Sequence, residues 1–155
     1  MVSRQERQAL TEQRREAMAI LAMAGGSELL ALWKEAGLPE DAKTLRGPET
    51  GLVTVRGRMG GGGAPFNFGE ATVTRATVKL PTGEVGHAYA LGREKMKVRV
   101  AALIDALRQK PDFQDQIEEK ILAPLRARQT EADAQRRAET AATKVDFFTM
   151  VRGED

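Results

Sequence analysis

The hydrophobic period of this chain changes twice, and the two changes confine it to one fold class. Helical spacing of apolar residues gives way after Pro48 to strict alternation, and returns after Gly92-Arg93. The predicted fold is α+β, with an antiparallel meander of three or more strands packed with about five helices. At 155 residues the chain fits a single domain, 1–155, with a sizeable core. Within it the expected parts are an N-terminal helix at 1–24, a sheet at 49–92, helices at 94–143 and a partner-docking tail at 144–153.

Local signals set the elements. Ser3 and Glu6 have capping-box spacing, which starts a helix that stops near Ala24, before Gly25-Gly26. Its second half, Ala17 to Ala24, is apolar all round and is expected to be buried on every side. Ser27 is expected to cap a short helix from Glu28 to Ala36, ended by Gly37 and Pro39. In Leu52 to Met59, Val53, Val55 and Met59 share the expected buried face, opposite Thr54, Arg56 and Arg58. A second strand runs from Phe66 to Leu80, and its slipped parity predicts a bulge near Gly69. Pro81-Thr82-Gly83 is a turn, and Val85 to Leu91 is the third strand. Met96, Val100, Leu103, Ile104 and Leu107 predict an amphipathic helix from Glu94 to Arg108. Pro111 opens a shorter helix, which Pro124 is expected to break or kink. Residues 125–143 are helical in propensity and polar nearly all round.

Composition excludes several chemistries. With no cysteine there are no disulfides, thiol nucleophiles or cysteine-ligated metals, which fits a reducing, cytoplasmic setting. No apolar run reaches the roughly 20 residues of a membrane span, and the charged N-terminus is unlike a signal peptide. Net charge is only +2, but 43–108 holds 11 Lys+Arg against 5 Asp+Glu. That local excess favours an anionic ligand or an acidic partner surface.

The run Arg56-Gly57-Arg58-Met59-Gly60-Gly61-Gly62-Gly63 is the candidate anion site. Backbone N–H groups and guanidinium forks together form an oxyanion nest. No Gly-Lys-Ser/Thr follows it, so it is not a Walker A loop. The alternative is a flexible hairpin loop beside solvent-facing arginines. Arg75 and Arg93 either join Arg56 and Arg58 in one basic cluster or pair with Glu49, Glu70 or Glu94. His87, the single histidine, is either a general base or a hydrogen-bonded sheet residue, and it cannot alone hold a metal. No serine–histidine–acid set stands out, so neither a catalytic residue nor a metal site is expected. The segment 144–153 carries Phe147, Phe148, Met150 and Arg152. Burying its apolar side chains barely offsets the cost of ordering it, so docking needs strand pairing or a groove on another subunit. Met18 and Leu21 are the other interface candidates.

Several blocks, taken together, resemble the small G subunit of the bacterial carbon–phosphorus lyase core complex, the PhnG family. They are Glu49 to Leu52, Arg56 to Gly61, Phe66 to Thr72, Thr74 to Ala76, Gly92-Arg93, Ala102 to Leu107, Ala123 to Leu125 and Lys144 to Gly153. The resemblance covers roughly Met18 to Gly153 and implies a role in phosphonate catabolism. It implies assembly with H, I and J subunits, with the I subunit the closest contact, and association with K and L proteins. It implies support for transfer of methylphosphonate onto the ribose C1 of MgATP with release of adenine, MgATP being substrate of the complex and no cofactor belonging to this chain. It assigns no catalytic residue to the G subunit, and neither a membrane nor nucleic acid is an expected partner. Two other readings are a free-standing nucleotide-phosphate or RNA-binding module on the basic sheet, and a hydrolase using His87.

Overall fold

A computed structural model describes residues 3–143. The elements run α1 (Arg4–Met23), α2 (Gly26–Ala36), β1 (Lys43–Arg58), β2 (Pro65–Lys79), β3 (Val85–Leu91), α3 (Lys95–Leu107), α4 (Pro111–Ile117), a π-helical turn (Glu118–Leu122) and α5 (Ala123–Ala142). The strands form one antiparallel sheet in the order β1-β2-β3, the predicted meander.

The capping box forms at the head of α1. Glu6 N–H donates to Ser3 Oγ at 3.1 Å, and Ser3 N–H donates to Glu6 Oε2 at 2.6 Å. At the other end, buried Lys97 donates from Nζ to the Ala22 carbonyl at 2.8 Å, placing a cation on carbonyls that have no helical partner. All-round burial of the second half of α1 is not found. Ala17, Ile20, Leu21 and Ala24 are buried, while Ala19 and Met23 face out. Four of those eight residues are alanines, which leave an exposed stripe at little cost. The second helix also differs from expectation, because it begins at Gly26 with Gly25 as its cap and Ser27 makes no cap bond. Gly26 is buried against the Glu94 carboxylate, which a Cβ would meet at 2.0 Å.

The first strand starts at Lys43, well before the predicted alternation. Register irregularities, one between Thr44 and Arg46 and one spanning Gly47-Pro48 between Arg46 and Glu49, erase the period-2 signal there. In β2 the parity slip has the expected kind of cause. Val55 pairs with Gly69 and Arg56 with Asn67, so Phe68 is the extra residue of a bulge. The third strand has the predicted bounds.

Helix α3 packs on one face of the sheet, over Thr74, Ala76 and Val78 of β2 and Leu80 just past its end, and α1 and α2 pack in turn on α3. The amphipathic pattern predicted for α3 is too sparse. It lies between the sheet and α1/α2, so Val98, Ala101, Ala102, Asp105 and Ala106 are buried as well, and Met96 is the exposed exception. Gly86 of β3 is the point of closest approach, with the α3 backbone directly over it.

About five helices were expected. The last three helical pieces follow one another without a non-helical residue, so 111–142 is one rod and the helical segments number four. Pro124 does not break it. The preceding π turn widens the helix where a proline ring would meet the carbonyl four residues back. Beyond Leu125 the rod buries almost nothing.

Candidate functional site: the β1–β2 arm

The third strand ends opposite Val73, so β2 from Pro65 to Thr72 pairs with β1 alone. This two-stranded arm stands out from the body, and its tip is the glycine loop. Side chains alternate along it. Val53, Val55 and Gly57 are half-buried on one side, while Thr54, Arg56 and Arg58 are exposed on the other. Phe66, paired with Gly57, and Phe68 belong to the apolar side. Their ring centroids lie 6.2 Å apart, and the Phe68 ring covers Gly57. Both phenylalanines are exposed, as are Leu52, Met59 and, at the base, Leu91. Two-stranded ribbons are marginal alone in water, so an arm this apolar calls for cover from elsewhere.

The glycines of the tip have backbone reasons. Gly60 and Gly61 take φ of 59° and 78°, in the left-handed region that glycine occupies without strain. Gly63 N–H donates to the Met59 carbonyl at 3.0 Å, so close that a Cβ on Gly63 would meet that oxygen at 2.7 Å. Arg58 closes the turn by donating from Nη1 to the Gly63 carbonyl at 3.1 Å.

The structure does not gather the four arginines. Arg56 and Arg58 lie near the tip. Arg75 is opposite Glu49, seven residues down β1 from Arg56, about 23 Å away and on the other face of the sheet. Its Nε donates to Glu49 Oε1 at 2.7 Å, and Arg46 Nε donates to the same oxygen at 2.6 Å. The bonds from Arg46 and then Arg75 hold the Glu49 carboxyl below its ordinary range. Arg93 follows Gly92, whose N–H bonds the Thr72 carbonyl at the base of the arm. A single basic cluster is therefore corrected to separate positions, since strand alternation and length divide them.

His87 is held as a sheet residue. Its Nδ1 lies 3.2 Å from Thr77 Oγ1, and its backbone N–H donates to Asp105 Oδ2 at 2.8 Å. Asp105, only 3 % exposed, also takes both prongs of Arg14, Nε at 2.8 Å and Nη2 at 2.7 Å. That carboxylate raises the Arg14 pKa above its usual value. Asp105 was not singled out from sequence. An acid inside a helix whose neighbours are all apolar was the available signal.

Leu21 is 2 % exposed inside the core, so this chain covers it and leaves no surface for a partner. Met18 is half-buried and lines a small hollow with His87, Tyr89 and Lys97. Phe147, Phe148, Met150 and Arg152 lie outside the described residues. Phe66, Phe68 and Leu52 were missed as surface residues because alternation alone does not say which face a second layer covers. Among the described residues no three His, Asp or Glu side chains group to hold a metal ion, and no single helix is long and apolar enough to cross a membrane.

Comparison with known proteins agrees with the motif blocks. A family model described as "Phosphonate metabolism protein PhnG" matches residues 12–153. A Rhizobium meliloti (strain 1021) protein named "Alpha-D-ribose 1-methylphosphonate 5-triphosphate synthase subunit PhnG" is 53% identical over 146 residues, covering 92% of this chain and 91% of that protein. A match of this extent places the chain in the PhnG family of phosphonate metabolism proteins.

Proposed function

We propose that this chain is a non-catalytic subunit of the carbon–phosphorus lyase core complex, where it assembles with the H, I and J subunits. Within that complex it supports transfer of methylphosphonate onto the ribose C1 of MgATP, with release of adenine. The observation that carries this reading is the arm. Leu52, Met59, Phe66 and Phe68 project on a two-stranded ribbon that the described residues leave uncovered, as a subunit surface would. His87 is engaged within the sheet by Thr77 and, through its backbone, by Asp105, which favours a supporting role, and the isolated chain is expected to be inactive.

Two experiments test this reading. Phe147→Ala with Phe148→Ala is expected to weaken co-purification with the I subunit while the helical circular dichroism of the chain is unchanged. An undiminished pull-down removes the tail from the interface. Arg56→Ala with Arg58→Ala tests whether the tip contacts the nucleotide. The expected result is a complex that still assembles but has a raised KM for MgATP, by roughly tenfold for the loss of charge-assisted contacts. Unchanged KM reduces Arg58 to closing its loop.

A further inference from the structure

We propose that the outer edge of β1 between Thr50 and Val55 is a strand-addition site, filled by an extended segment of another subunit that carries acidic residues where it passes Arg56 and Arg58. The inference rests on the reading of this chain as a subunit and names the surface and the mode of pairing.

An open sheet has two edges, and proteins blunt them with bulges, prolines, charges or covering elements. Here one edge is closed by side chains at Val85 and His87. On β3, Arg14 donates from Nη2 to the Val85 carbonyl at 3.3 Å, Gln109 donates to the same oxygen at 2.8 Å, and Asp105 takes the His87 N–H. Met18 of α1 lies alongside Ala88 and Tyr89. The other edge is guarded along its first half only. From Lys43 to Glu49, β1 has two register irregularities, Pro48 without an N–H, and the charges of Lys43 and Arg46.

From Glu49 to Val55 the guards stop. The register with β2 is unbroken, residue for residue, with no proline and, past Glu49, no charge. Thr50, Gly51, Leu52 and Thr54 are exposed, Leu52 at 62%. β1 is the terminal strand of the sheet, so its outward N–H and C=O groups have no partner in it. Six regular residues span about 20 Å, enough for a full ladder with an added strand. Val53 and Val55 flank that ladder with apolar side chains.

Charge selects the occupant. Thr50–Arg58 carries Arg56 and Arg58 and no acid, and nearby Glu49 is already held by Arg46 and Arg75. Two copies of this edge laid antiparallel bring four arginines into one ribbon against only the two copies of Glu70, which lies opposite Thr54 on β2, so like-charge repulsion opposes that pairing. A strand with acids opposite Arg56 and Arg58 answers that charge. A guanidinium has five N–H donors, so a carboxylate on one side of each arginine leaves donors for a nucleotide phosphate, and because backbone pairing supplies most of the attraction, loss of the two arginines leaves assembly largely intact.

Hydrogen exchange with residue-level mass spectrometry, on the isolated chain and on the reconstituted complex, tests the proposal. Alternate amides within Thr50–Val55, those pointing away from β2, are expected to exchange at least about tenfold more slowly in the complex. A complex that forms with those amides unchanged overturns the inference and leaves the subunit reading standing. Failure to form any complex overturns both. Protection that appears in the isolated chain as concentration rises, together with self-association, assigns the edge to a second copy. Protection already present in the isolated chain and lost on truncation after Thr143 assigns it to the chain's own C-terminal segment. Either result removes the foreign strand.

Discussion

Gly86→Ala is expected to be among the most destabilising single substitutions in this chain, at about 3 kcal/mol or more. An added Cβ falls 2.0 Å from the Ala102 carbonyl oxygen, 2.5 Å from the Ala106 nitrogen and 2.8 Å from the Ala106 Cβ. None of these is the loose end of a flexible side chain. The only relief is for α3 to lift from the sheet, and α3 is the most buried helix of the fold. Ala102 and Ala106, one helical turn apart and both fully buried, form the flat strip that lets α3 sit this close. Urea denaturation followed at 222 nm should show a lower midpoint with a similar slope, and Tm should fall by roughly 6–12 °C for a chain of this size. Gly62→Ala is the control, because a Cβ there meets nothing within 4 Å and φ is not positive. A Gly86→Ala protein as stable as its parent would mean that α3 does not seat on β3 as described.

The contrast between these two glycines shows where sequence reading succeeds. Elements that announce themselves through period and punctuation were legible. The Ser3–Glu6 box and the Pro81-Thr82-Gly83 turn depend on residues a few positions apart, and the β3 bounds depend on alternation within one segment. Gly86 was read only as part of that alternation. Its need is imposed by a helix sixteen residues further on, and no local pattern carries a tertiary approach. The four glycines at the tip drew attention as a possible anion nest. The geometry gives three of them plain backbone reasons, two with positive φ and one against the Met59 carbonyl.

The same distinction governs the charges. Arg56, Arg58, Arg75 and Arg93 looked like one cluster because they share a short stretch of sequence. A strand separates residues at about 3.3 Å each and turns alternate side chains to opposite faces, so closeness in sequence became distance in space. The pairing of Arg75 with Glu49 was among the alternatives left open, whereas its sharing with Arg46 was not, because register irregularities around Pro48 bring Arg46 into reach. The exposed phenylalanines were legible as strand residues and illegible as surface. Only a finished fold shows that no helix among the described residues covers the arm.

Asp105 has the second large expected effect, and it acts through the β3 edge of the sheet. Its carboxylate is the meeting point of α1, β3 and α3, holding the Arg14 fork and the His87 N–H at once. Asp105→Ala leaves that N–H without an acceptor beneath α1 and releases the guanidinium, at a cost of about 2–4 kcal/mol. Arg14 is 39% exposed and can turn to water, which keeps the figure below that of a fully buried broken pair. Arg14→Ala fails differently, leaving a buried carboxylate with one backbone donor, and should cost a similar amount. Because both changes break the same contact, the double variant should be less destabilised than the sum of the two, by about 1–3 kcal/mol. Denaturant melts of the four proteins measure that coupling. Exchange of the His87 amide gives a local readout, faster in Asp105→Ala and nearly unchanged in Arg14→Ala, since the acceptor survives there. Strict additivity, or a His87 amide indifferent to loss of the carboxylate, would show that β3 is closed by something other than this acid. The reason offered for β1 being the edge left for a partner would then be lost.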